Sequence, residues 1–220
     1  RSPAWIEPKE GLITDTDFTS KSTAELKKLF SKSLSKGLHG LAFSPYLEGQ
    51  HIGDQLSLEQ IKRRMEVIKP YTKWVRSFSC TEGNEFIPKV AHDQGLKTMV
   101  GAWIGDNKSQ NDKEINGLIE LAKAGYVDIA AVGNEVLLRG ELTEEELLAY
   151  IRKVKKALPD LPVGYVDAYY QFSEFPRLVE ACDLILINCY PFWEGCNNAY
   201  ASVYLKQMYT LVKDASQGKP

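Results

Sequence analysis

The stretch Asp128-Ile129-Ala130-Ala131-Val132-Gly133-Asn134-Glu135-Val136 decides how this chain folds. Ile129 to Gly133 is an unbroken run of small and β-branched apolar residues, the pattern of a strand buried on both faces in a parallel sheet. Asn134 and Glu135 break the run at its carboxyl end. A carboxamide and a carboxylate are costly to desolvate there, and the carboxyl ends of parallel strands are where α/β folds hold their chemistry. Thr143-Glu144-Glu145-Glu146 then opens a helix with a capping box, in which Thr143 and Glu146 satisfy free backbone donors reciprocally. Leu147, Leu148, Ile151, Val154 and Leu158 give that helix one apolar face.

The same unit recurs on both sides. Upstream, Leu38 to Ser44, Lys73 to Ser79 and Lys97 to Trp103 read as strands. They are followed by a helical stripe through Leu58, Ile61, Met65 and Ile68, a short helix ending before Gly95, and a stripe through Ile115, Leu118, Ile119 and Ala122. Downstream, Leu161 to Ala168 and Asp183 to Cys189 are strands, the second with Leu184 to Ile187 expected to be buried on both faces. Helices follow near Phe175 to Ala181 and over Ala199 to Ala215, and Gly218-Lys219-Pro220 points toward another strand. Residues 1–36 form an N-terminal extension: 1–22 are polar and wrap the surface or move, and Leu26, Leu29, Phe30 and Leu34 mark one short helix stopped by Gly37. Residues 37–220 form the main α/β domain.

Successive βα units imply a parallel sheet, either open and doubly wound or closed as a (β/α)8 TIM barrel. A dinucleotide-binding open sheet wants a glycine-rich turn after its first strand. Ser44-Pro45-Tyr46-Leu47-Glu48-Gly49-Gln50 is not one, and no phosphate-cradling motif occurs elsewhere. The barrel is favoured, with about six of its eight units present.

Composition narrows the function. With 220 residues, 44% hydrophobic content and a net charge of −2, the chain has material for one good core and no electrostatic case for nucleic acid or an anionic membrane surface. No apolar run is long enough to span a membrane. No signal peptide opens the chain, but Arg1-Ser2-Pro3 also reads as a trimmed start, and a secreted, periplasmic or cell-surface setting is favoured over a cytoplasmic one. Cys80, Cys182, Cys189 and Cys196 form no CxxC pair, and His39, His51 and His92 lack ligand spacing, so neither a metal nor a cofactor is expected. A Cys189–Cys196 disulfide and free thiols both stay open.

In a barrel the strand ends gather into one rim. Here it holds Tyr46 and Glu48, Arg76 to Glu82, Trp103 and Asp106, Asn134 and Glu135, Asp167 with Tyr169 and Tyr170, and Asn188 to Glu194. Aromatic platforms beside carboxylates and amides suit a neutral polyhydroxylated substrate. No nucleophile elbow or cysteine–histidine arrangement offers acyl transfer.

Val132-Gly133-Asn134-Glu135-Val136, Asn188-Cys189-Tyr190-Pro191-Phe192-Trp193-Glu194-Gly195 and the Val75-Arg76 strand together resemble glycoside hydrolase family 17, from about Leu38 to Pro220, and bacterial or fungal members more than plant ones. The resemblance implies a (β/α)8 barrel and retaining hydrolysis of β-1,3-glucan of the laminarin type, or its close variant, transglycosylation. It makes Glu135 the general acid/base, which must hold a proton until it passes it to the leaving oxygen. Asn134 is implied to hydrogen-bond the 2-hydroxyl of the sugar under attack, and Tyr190 to hold the nucleophile's carboxylate. Tyr46 falls at the floor of the same subsite; Phe192, Trp193 and Glu194 shape further sugar sites. The family's nucleophile is a Glu on the seventh strand, expected just beyond Pro220, so the barrel reads as incomplete at its C-terminus and in need of a completing segment or self-association. Asp167 and Glu194 are the in-chain carboxylates that could face Glu135 instead. A non-catalytic glucan-binding protein is the alternative from another class.

Overall fold

The computed structural model describes residues 18–220; the expectation for the polar N-terminal segment lies mostly outside them. α1 (Thr23–Ser35) starts at Ser22, which exchanges side-chain and backbone hydrogen bonds with Glu25 in a capping box. Its Leu26, Leu29 and Phe30 stay exposed and none of its residues is buried. The short helix is there, but the core does not use its apolar side.

The main domain runs β1 (Leu38–Ala42), α2 (Leu58–Ile68), β2 (Thr72–Ser77), α3 (Phe86–Asp93), β3 (Lys97–Ala102), α4 (Lys108–Lys123), β4 (Ile129–Asn134), α5 (Glu144–Ala157), β5 (Val163–Ala168), α6 (Gln171–Glu174), α7 (Pro176–Ala181), β6 (Leu184–Asn188) and α8 (Ala201–Ala215). All neighbouring strands pair in parallel, and their order in the sheet is their order in the chain. A doubly wound sheet reverses order at its switch point; a sheet wound always in one direction keeps every helix on one face.

That sheet is rolled. Flat, β2 and β6 would lie about 19 Å apart, four strand spacings. Yet Arg76 of β2 reaches Asn188 of β6, with Nη1 3.4 Å from Oδ1. Only curvature toward a barrel brings these side chains together. The six strands form part of a (β/α)8 barrel wall.

The main core lies between strands and helices. Val100 and Ala102 of β3, Ala130 and Val132 of β4, and Val163 and Tyr165 of β5 pack against Ile115 and Leu118 of α4 and Leu147, Leu148, Ile151 and Val154 of α5. Each fully buried Leu or Ile contributes about 1.5–3 kcal/mol relative to exposure. A second cluster joins α2 and α3 to Val75, and a smaller one seats α8 through Tyr204, Met208 and Val212 beside Tyr169.

Several strand limits differ from expectation for local reasons. β2 stops at Ser77 because Ser79 and Cys80 turn to donate to Glu114 of α4. β5 begins at Val163 because Pro162 has no N–H to give the ladder. Leu184 to Ile187 are only partly buried, against the expectation of burial on both faces. Among the described residues, the outer edge of β6 receives no further strand, and only the Pro220 carbonyl accepts from Ile185 N, at 2.8 Å. No helix among the described residues is long and apolar enough to cross a membrane.

Candidate active site

The end of β4 departs from regular strand geometry. Its pairing with β5 shifts register between Ala131 and Asn134, Gly133 has φ 87°, and Glu135 has φ 55°. A left-handed conformation at a residue with a side chain costs about 1–3 kcal/mol and persists where surrounding contacts over-determine it. Those contacts are Glu135 N to Val166 O at 2.8 Å and Arg139 N to Glu135 O at 2.9 Å. Alternation would send Asn134 and Glu135 to opposite faces; the irregularity lets both side chains reach one amide.

That amide is Asn188. Its Nδ2 donates to Glu135 Oε1 at 2.6 Å and lies 3.4 Å from Asn134 Oδ1. Arg76 Nη2 donates to the same Asn134 Oδ1 at 2.6 Å. Four side chains from β2, the end of β4 and β6 thus form one network over the barrel mouth. Glu135 Oε2 has no hydrogen-bond partner among the described residues.

Arg76 carries its charge partly buried, its guanidinium 4.5 Å above the Phe78 ring. Burial lowers its pKa, against the pull of Tyr190 and Glu135. It forms no ion pair with a carboxylate among the described residues, so its hydrogen-bond partners here are two neutral amides. Tyr190, half exposed, has its phenol pushed up by burial and then by the charge of Glu135, with Arg76 opposing.

The structure therefore gathers Asn134, Glu135 and Tyr190 at one place. Tyr46 lies further round the rim, in a cavity wall, with its hydroxyl 3.5 Å from Asn84 Nδ2. Phe192 and Trp193 stand edge to face at 5.2 Å and are 80% and 77% exposed, apolar rings presented to solvent. Glu194 lies toward α8, where its charge, after burial, raises the Tyr170 phenol.

Asp167 does not oppose Glu135 across the cleft. It shares the helix-facing side of β5 with Tyr165, whose hydroxyl donates to it, and its other oxygen accepts from Ala168 N at 2.7 Å. Burial pushes its carboxyl up. With both oxygens engaged and no exposure, it is a structural acid.

Sequence reasoning gave no role to Arg76, Asn188 or Arg139. Arg76 and Asn188 both fall on the rim that the carboxyl-end rule picks out, but nothing in their spacing marked them as partners. Arg139 carried no signal. It donates to the Asn134 carbonyl, pairs twice with Glu141 at 2.7 Å and lies 5.0 Å over the Trp103 ring. The four cysteines are free thiols. Among the described residues, no three His, Cys, Asp or Glu side chains cluster as metal ligands.

The family model of the BtgE/BtgC glycoside hydrolase domain matches residues 40–220. Among fungal relatives, a glucan 1,3-beta-glucosidase of Arthroderma benhamiae is 28% identical over 151 residues, 64% of this chain and 47% of that protein. One of Schizosaccharomyces pombe is 28% identical over 148 residues, 61% of this chain and 46% of that protein. The chain thus spans about half the length of these curated relatives. The crystal structure of the Rhizomucor miehei glycoside hydrolase family 17 beta-1,3-glucanosyltransferase superposes with a TM-score of 0.73 at 30% identity, covering 84% of this chain and 70% of that one. An active-site mutant of that enzyme has been solved with laminaritriose. Strand order, the rolled sheet and these matches agree: the chain belongs to the BtgE/BtgC glycoside hydrolase domain family, within glycoside hydrolase family 17.

Proposed function

We propose that residues 37–220 carry the acid/base half of a retaining site that cuts or transfers β-1,3-glucan, with residues 1–36 as an extension to it. The observation that carries this reading is the network Arg76–Asn134–Asn188–Glu135. Asn188 fixes one oxygen of Glu135 and leaves Oε2 open to hold a proton for the departing glycosidic oxygen. After departure the same oxygen takes a proton from the attacking water, or from a sugar hydroxyl in transfer.

Asn134 has its amide orientation set by Arg76. With Oδ1 occupied by the guanidinium, Nδ2 is the end left to donate, which suits a sugar 2-hydroxyl whose contact strengthens as positive charge develops. Arg76 and Tyr190 form a cationic and hydrogen-bonding seat without a carboxylate in it. A second carboxyl about 5–5.5 Å from Glu135 would complete a retaining pair and would be held ionised by that arginine. We assign it to a strand alongside β6, on the edge where Ile185 meets the Pro220 carbonyl. Such a completing segment, or failing it a second copy, would also cover the open edge. Tyr46, Phe192 and Trp193 stack on sugar faces, and Glu194 accepts from hydroxyls. Similarity to a glucanosyltransferase favours transfer as the second reading.

The full-length protein should release or rearrange laminari-oligosaccharides, and Glu135→Gln should reduce turnover about 10³-fold. Undiminished turnover in Glu135→Gln would overturn the assignment. Product sizing separates hydrolysis from transfer.

A further inference from the structure

A cavity of about 440 Å³ opens among the loops that follow β1, β2 and β3. Tyr46, Phe78 and Trp103 supply its aromatic walls, and Asn84, Gln110 and Glu82 its polar groups. Its size falls in the range of small-ligand sites. It adjoins the network described above by two routes. Phe78 lies under the Arg76 guanidinium, which donates to the Asn134 side chain; Trp103 lies under Arg139, which donates to the Asn134 carbonyl.

Behind this wall sits Glu114 of α4, 1% exposed. Its Oε1 accepts from Ser79 Oγ at 2.6 Å and Thr81 Oγ1 at 2.7 Å. Its Oε2 accepts from Cys80 N at 2.8 Å and Trp103 N at 3.1 Å. One carboxylate thus ties the loop after β2 to the loop after β3. α4 comes close enough for this only because position 117 is glycine: a Cβ there would meet Cys80 Cβ and O at 2.9 Å. With four donors satisfied, the carboxylate offers no free oxygen to a ligand; it fixes the peptide from which the Trp103 ring extends.

We propose that this cavity receives a sugar ring of the glucan remote from the bond under attack, and that Glu114 is the positioning residue of its aromatic wall. The proposal rests on the glucan reading above. Flat rings match the C–H faces of a pyranose, and the Asn84 and Gln110 amide oxygens can accept from its hydroxyls while their NH₂ groups donate to Thr81. The buried carboxylate in the lining, Glu114, has both oxygens taken by neutral donors and so has none to offer a cationic ligand.

The substitutions separate position from bulk. Glu114→Gln keeps an oxygen for the two backbone N–H groups and turns its NH₂ to the hydroxyls of Ser79 and Thr81, which can accept. Glu114→Leu removes both acceptors at similar size, and Trp103→Ala removes the platform itself.

In the full-length protein, the ratio of kcat/KM for laminaripentaose to that for laminaritriose is expected to fall about tenfold in Glu114→Leu and Trp103→Ala, the size of one lost good contact, and to be retained in Glu114→Gln. The double variant should lose little more than either single one, because both act on one wall. Calorimetric binding of the two oligosaccharides in a Glu135→Gln background reads the same preference without turnover, and Trp103→Ala, at a partly exposed position, covers the case in which Glu114→Leu does not fold. An unchanged length preference in Trp103→Ala overturns the cavity as a sugar site. A changed preference in Trp103→Ala with none in soluble Glu114→Leu overturns the role of Glu114. If the unmutated protein binds without turnover, the catalytic reading fails and the cavity proposal stands; if it binds no laminari-oligosaccharide, both fail.

Discussion

Glu114 and Glu135 are two acids at the same end of one sheet, built for opposite purposes. Glu114 is buried, sits on a regular helix and has both oxygens saturated by four donors. Glu135 sits in a left-handed backbone conformation, is partly open to the cleft and has one donor on one oxygen. A carboxylate that stabilises a fold has spent its lone pairs within it. One that is to move a proton, as proposed for Glu135, must keep an oxygen uncommitted, and Glu135 Oε2 accepts from no described residue. Strain at one site and saturation at the other tell the two acids apart.

The comparison can be broken first where its effect is largest. Glu135→Gly in the full-length protein should abolish glucan turnover while raising stability by about 0.5–1 kcal/mol, since glycine adopts positive φ without penalty. Thermal unfolding measured beside activity checks this, and a large loss of stability would mean that Glu135 is structural after all. Glu114→Leu should do the reverse to the fold. It strands two backbone N–H groups and should cost about 2–4 kcal/mol, whereas Glu114→Gln should cost less than half of that. Chemical denaturation of the three proteins gives the ranking.

A subtler test uses the other buried acid, Asp167. Burial raises the Asp167 carboxyl pKa, so the folded state holds its proton more tightly than the unfolded chain does. The sign follows: between the unfolded value and the raised folded one, the contribution of Asp167 to stability falls as pH rises, and below the unfolded value it is fully present. Asp167→Asn, which can keep its neighbours through the amide, should flatten that part of the stability profile in urea titrations at stepped pH. An unaltered slope would place the titration elsewhere.

How far the sequence could be read depended on the kind of force involved. Strands and helices were legible because apolar burial repeats along the chain, and the Thr143–Glu146 cap because its partners are three residues apart. Gly-Asn-Glu at the end of β4 stood out because polar groups there interrupt an apolar run. Arg76 and Asn188 were not legible as partners, since only the rolling of the sheet joins them. Glu114 was hidden inside an unremarkable amphipathic helix, where an acid at an inward position reads as solvated until its donors are seen. The over-reading of β6 as buried on both faces has the same origin: composition records what a strand is suited to lie against, not what lies there.

The bond between positions 76 and 188 has a temporal consequence. A chain leaving the ribosome makes the guanidinium early, and five of the six strands exist before the amide that meets it has been synthesised. Until that residue emerges and the sheet curls, Glu135 lacks the group that orients it. The network of Arg76, Asn134, Asn188 and Glu135 thus assembles only once β6 has been made, however early its first members appear.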